Sequence, residues 1–138
     1  MFGNNTIFQE IEDYGKENGM TLEAIHASFW VLDHKFLKRN FLMDMTIKPL
    51  ANPAKQEKYR KALDDLKNEK LEKTQSMRET LKYFEKRYLT YGLDDVFQRE
   101  GVFTYRTVSK ILESEYIPES LYNKILGYLL QYEDSLML

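Results

Sequence analysis

Residues 93–112 read LDDVFQREGVFTYRTVSKIL, and the rest of the chain is most easily read outward from them. LDDVFQRE has the length and polarity of a two-turn helix, and Gly101 marks a turn after it. Thr104 is a polar cap for a second helix, TYRTVSKILES. Val108, Ile111 and Leu112 fall on one side of that helix, whereas Tyr105, Arg106, Ser109 and Lys110 fall on the other. Upstream, Met77, Leu81, Phe84 and Tyr88 are spaced four, three and four, predicting a core-facing helix that closes at Gly92. Downstream, Pro118 opens a last helix, PESLYNKILGYLLQYE, with Leu121, Ile125, Leu129 and Tyr132 inward.

The first half has the same punctuation. Thr6 caps a helix with an inner face of Ile7, Phe8, Ile11 and Tyr14, and Gly19 stops it. Thr21 begins TLEAIHAS, and Asp33 is the expected cap of DHKFLKRNFL. Met43 to Asn52 contains Pro49 and runs up to Pro53, so it is expected as a loop. Pro53 suits the first position of PAKQEKYRKALDDL, whose apolar side is Tyr59, Ala62, Leu63 and Leu66. Between Lys67 and Ser76 only Leu71 is apolar, which predicts either a solvated helical connector or a break. No stretch alternates with period two for long enough to predict a strand.

Composition agrees with a helical globular chain. Of 138 residues, 43% are hydrophobic and 30% charged, too apolar for disorder, and ten Tyr and eight Phe supply much of a core. Three Pro and six Gly are few breakers. The absence of Cys excludes disulfides, Cys-based zinc sites and thiol nucleophiles. No apolar run is long enough to span a bilayer, so no membrane partner is expected. The acidic N-terminal residues do not resemble a secretory signal, and a cytoplasmic protein is expected. The net charge of −2 argues against a non-specific nucleic-acid coat but not against a locally basic docking face.

The segments Leu93-Asp94-Asp95-Val96, Gly101 to Leu112, and Ile117-Pro118-Glu119-Ser120-Leu121 together resemble the helix-turn-helix of Cro and lambda-repressor proteins. TYRTVSKIL also looks like the recognition helix of the lactose-repressor family. The resemblance covers about 55 residues of the C-terminal half and implies sequence-specific binding of double-stranded DNA. A recognition helix needs a polar cap and hydrogen-bonding side chains at the end that enters the major groove. Arg106 then suits guanine O6 and N7, and Thr104, Tyr105 and Lys110 suit phosphates, with Ser109 beside them. Phe97 stands at or next to a position where the family places Ala, and the turn between Gly101 and Ser109 is one residue longer than usual.

Sliding the chain by 71 residues lays Leu22, Ile25, Asp33, Lys35, Leu37 and Phe41 over Leu93, Val96, Thr104, Arg106, Val108 and Leu112. This pattern predicts a weaker second copy, with His34, Lys35, Lys38 and Arg39 as its exposed DNA-binding side. The expected fold class is therefore all-α, with two small helix-turn-helix-like units in tandem: 1–66, a charged connector 67–76, and 77–138. Two recognition helices about one DNA turn apart would make the chain a built-in pseudo-dimer.

Other chemistry finds little support. His26 and His34 lack converging partners for a metal, and there is no phosphate loop, nucleophile elbow or paired-His motif, so neither cofactor nor catalysis is expected. Trp30, between Phe29 and Val31, belongs to the core unless exposed, in which case it marks a partner surface. GYLLQYEDSLML either forms a homodimer face or completes the core. The expected function is a small transcriptional regulator or accessory DNA-binding protein of a phage or mobile element. The alternative is a helical protein–protein interaction module, of inhibitor or immunity type, which the acidic charge balance and Phe97 favour.

Overall fold

Helical periodicity dominates the computed structural model, which describes residues 6–87 and 103–136. Helix α1 (Thr6–Glu17) buries Ile7, Phe8 and Ile11, as their spacing predicts. It ends at Gly19, where φ is +62° and glycine has no Cβ to strain. Helix α2 (Leu22–Val31) is capped by Thr21, whose Oγ1 accepts from the Ala24 N–H. Ala24 to Phe29 are all buried. A helix buried on every side belongs at the centre of a domain. Here α2 packs against helices from both halves of the chain.

Asp33 does not cap the next helix. It has φ +75° and terminates α2: its N–H donates to the Trp30 carbonyl (3.1 Å) and the His34 N–H to that of Phe29 (2.8 Å). This is the paired closure that usually uses glycine, and a short acidic side chain tolerates the left-handed backbone better than most. The chain then continues without helix to Leu37, which places Phe36 on Tyr59 in a stacked pair with centroids 4.3 Å apart. Phe8, Phe29 and Phe41 complete an aromatic cluster that holds this segment. Helix α3 (Lys38–Ile47) therefore starts five residues after Asp33, and Leu37, at its N-cap, makes no side-chain capping bond.

The predicted loop from Met43 is helical as far as Ile47. Pro49 disfavours helical backbone only at the preceding residue. Lys48 leaves the helix with a left-handed φ of 50°, its N–H donating to the Asp44 carbonyl at 2.7 Å. Helix α4 (Pro53–Lys67) follows, with Asn52 Oδ1 accepting from the Lys55 N–H and Tyr59, Ala62, Leu63 and Leu66 inward. Polar contacts also tie it to earlier helices. Arg60 pairs with Glu10, and the buried Asp44 accepts from Lys55 Nζ and Tyr59 Oη at 3.0 Å each.

The stretch after α4 is a break, and part of it is a strand. β1 (Leu71–Lys73) pairs antiparallel with β2 (Tyr116–Pro118), Leu71 opposite Pro118 and Lys73 opposite Tyr116. Three residues per strand are too few for an alternation to show in sequence. Helix α5 (Gln75–Arg87) buries Met77, Leu81 and Phe84, and α6 (Tyr105–Ile111) buries Val108 and Ile111. Tyr88, Gly92, the segment LDDVFQRE with its Phe97, and Gly101 lie outside the described residues. Pro118 ends β2, so the last helix, α7 (Glu119–Leu136), begins one residue later than predicted and buries Leu121, Ile125 and Leu129.

The fold is thus mostly helical, with one two-stranded ribbon among the described residues. One hydrophobic cluster runs from Ile7 to Leu129 and draws on both halves. No helix among the described residues is long and apolar enough to cross a membrane.

Candidate nucleic-acid interface

Helix α6 is fixed by its cap and its inner side. Thr104 Oγ1 accepts from the Thr107 N–H at 3.1 Å and lies 3.0 Å from Thr107 Oγ1. Val108, Ile111 and Leu112 are buried, and Thr107 nearly so. Arg106 and Lys110, one turn apart, are exposed on the opposite side. Tyr105 and Ser109 are half-buried at its edges, with Tyr105 packed against the core. Thr104 is thus occupied as a cap.

The other end of α6 is closed by a residue the sequence analysis did not single out. Arg78 Nη1 donates to the carbonyls of Leu112 (3.1 Å) and Ser114 (3.0 Å) and to Thr74 Oγ1 (2.6 Å). Thr74 Oγ1 in turn donates to the Ser114 carbonyl, and Ser114 Oγ accepts from the Thr21 N–H at 2.9 Å. Thr21 Oγ1 donates to the Lys110 carbonyl at 3.1 Å. These bonds lock α6 to the start of α2 and to α5, so its outer side is held on a rigid base.

Of the basic residues expected on two separate units, Lys38 reaches across to this base. Lys38, the first residue of α3, donates from Nζ to Thr107 Oγ1 at 3.2 Å across 69 residues of sequence. The N-terminal ends of α3 and α6 therefore lie side by side rather than about one DNA turn apart, the separation two half-sites require. Arg39 is exposed next to Lys38. Lys35 lies over the half-buried Trp30 ring, with Nζ 4.6 Å from the centroid. The two residues line, with Val31 and Lys124 of α7, a surface hollow of about 320 Å³. Lys124 had no signal in the sequence beyond its charge.

His34 does not join them. Its Nε2 is 2.6 Å from Asp65 Oδ2 of α4. Lys35, Lys38, Arg39, Arg106 and Lys110 have no ion-pair partner among the described residues. His26 lies beneath this surface as a core residue. Its Nε2 is 2.6 Å from the Phe36 carbonyl and its ring packs near Trp30 and Phe41. Burial pushes its pKa down, and the Lys38 charge adds to that effect against the opposing Phe36 carbonyl and Glu23. Among the described residues no three His, Cys, Asp or Glu side chains cluster as metal ligands. No protein-family model, curated protein or solved structure matches the chain.

Proposed function

We propose that the protein binds double-stranded DNA in a sequence-specific manner, as a small transcriptional regulator or accessory DNA-binding protein. The observation that supports this most is the contact between Lys38 and Thr107, which brings the start of α3, with Lys38 and Arg39, beside the first turn of α6, the helix whose outer side carries Arg106 and Lys110. Five side-chain cations on neighbouring segments, none of them in an ion pair among the described residues, supply positive charge locally on a chain of net charge −2. Only the docking face of a DNA reader needs to be positive.

In this reading Arg106 reaches a guanine edge, and Lys110, Lys38, Arg39 and Lys35 neutralise phosphates on either side of one groove. Ser109 and Tyr105 border the contact. Thr104 orients α6 through its cap, and His34 takes no part because Asp65 holds it. A single groove segment replaces the pair of half-sites suggested by the repeat.

A titration against a random duplex library at several salt concentrations tests the reading. An enriched motif and affinity that falls steeply with salt are expected. Arg106→Ala should cost about 1–3 kcal/mol and relax the preference at one base pair, whereas Lys110→Ala should weaken all duplexes alike and lower the salt slope by about 1. Absence of any enriched motif, with helicity intact, would favour the protein-interaction alternative.

A further inference from the structure

A second surface has a different character. Large exposed hydrophobic residues concentrate around α3: Leu37 (67% exposed), Met43 (50%), Ile47 (65%) and Leu50 (74%). Met43 and Ile47 are one helical turn apart, on the side of α3 opposite the buried Phe41 and Met45. Leu37 and Met43 border a groove of about 530 Å³ between α3 and α4, with Phe36 and Tyr59 in its wall.

The rim of the groove is cationic. Lys35, Lys55 and Lys58 line it against one carboxylate, Asp44. Both oxygens of Asp44 are already engaged, by Lys55 Nζ and Tyr59 Oη. Lys35 and Lys58 have no ion-pair partner among the described residues. An apolar strip edged by uncompensated ammonium groups is complementary to a segment that is apolar on one side and acidic beside it. The outer side of α3, ten residues long, measures about 15 Å and so matches about three turns of a partner helix. Such helices seat side chains at i, i+3 or i+4, and i+7 into a groove, and a flexible Met in the wall adapts to them.

We propose that the α3–α4 groove docks an acidic amphipathic helical segment of another protein. The site contains no residue of α6, and Lys35 at its rim is the one residue it shares with the proposed duplex-binding face.

Selecting a displayed library of 16-residue segments on the whole protein tests this. Enriched segments should carry apolar residues at helical spacing and a net negative charge. A synthetic copy of the best should lose about tenfold or more in affinity against Met43→Asp and against Lys58→Glu, and none against Arg106→Ala. Both substituted positions are exposed, so helicity should persist, and the charge reversal at Lys58 tests the rim independently of the apolar strip. Enrichment of neutral or basic segments, or unchanged affinity in either groove variant, would overturn the proposal. So would a dimer in sedimentation that dissociates in Met43→Asp, since a second copy would then occupy the groove.

Discussion

Asp33 and Thr104 occupy matching places when the chain is slid along itself, yet one closes a helix and the other opens one. Thr104 has extended backbone (φ −75°, ψ 159°) and its hydroxyl accepts the Thr107 N–H. Asp33 has φ +75° and acts through its main-chain N–H. Asp suits either end of a helix whereas β-branched Thr suits only the first, and the residues on their C-terminal side act in the same direction. After Thr104, the fourth residue along, Val108, goes straight into the core. After Asp33, Phe36 is claimed by the stack on Tyr59, and the fourth residue, Leu37, is left 67% exposed. The two segments agree again at Phe41 and Leu112, both buried. The stack of Phe36 on Tyr59 has separated two stretches of similar pattern.

The largest effects should come from truncating the buried residues of the two segments. Phe41→Ala is expected to cost about 3–5 kcal/mol and Leu112→Ala about 2–5 kcal/mol, read as urea unfolding midpoints at constant slope. The decisive pair is Val108 and Leu37. Val108→Ala should cost about 1.5–3 kcal/mol through lost burial, whereas Leu37→Ala should fall within about 0.5 kcal/mol. Equal costs at these two positions would restore the equivalence that the repeat suggested.

The ends of the two helices provide the next contrast. The C-terminus of α2 is closed by main-chain bonds alone, through Asp33 and His34. That of α6 has the help of Arg78, which reaches the Leu112 and Ser114 carbonyls. Arg78→Ala removes the charged donor from these acceptors and from Thr74, and should cost about 1–3 kcal/mol. Arg78→Lys should recover only part, because an ammonium cannot reproduce the planar fork of donors. A full recovery would mean that charge rather than geometry holds the end of α6. At the opposite end of α6, Thr104→Ala removes the cap and should cost about 1 kcal/mol, with amide exchange rising first at Thr107.

Local features of this fold were legible and non-local ones were not. The inner sides of α1, α4, α6 and α7 follow from spacing, since a period of 3.6 needs only neighbouring residues. The caps Thr21 and Thr104, and the stop at Gly19, are equally local. The strands were hidden because each is three residues long and its partner lies more than forty positions away. The outer part of α3 was missed because Pro49 and Pro53 suggest that the whole interval is irregular, whereas Pro49 constrains only Lys48. That error concealed Met43 and Ile47 as a surface strip. At the candidate DNA-binding face, the outward placement of Arg106 and Lys110 was visible. The approach of Lys38 was not, because it depends on α2 carrying α3 to α6.

The smallest effect bears on the same comparison most directly. Gly19 and Asp33 perform one task at the ends of α1 and α2: each has a left-handed φ, and each is followed by an N–H that reaches back to the final turn. Met20 donates to Gly15 and His34 to Phe29, both at 2.8 Å. Only the residue type differs. If Asp33 is there to end a helix, Asp33→Gly relieves the Cβ strain, partly offset by the greater entropy of the unfolded chain, and stabilises by about 0.5 kcal/mol. If Asp33 instead capped a helix beginning at His34, the same change would remove a side-chain acceptor and could only weaken that cap. The sign of a shift of about half a kilocalorie in the unfolding free energy therefore distinguishes a terminator from an initiator, and a loss of stability would return Asp33 to the role that Thr104 performs.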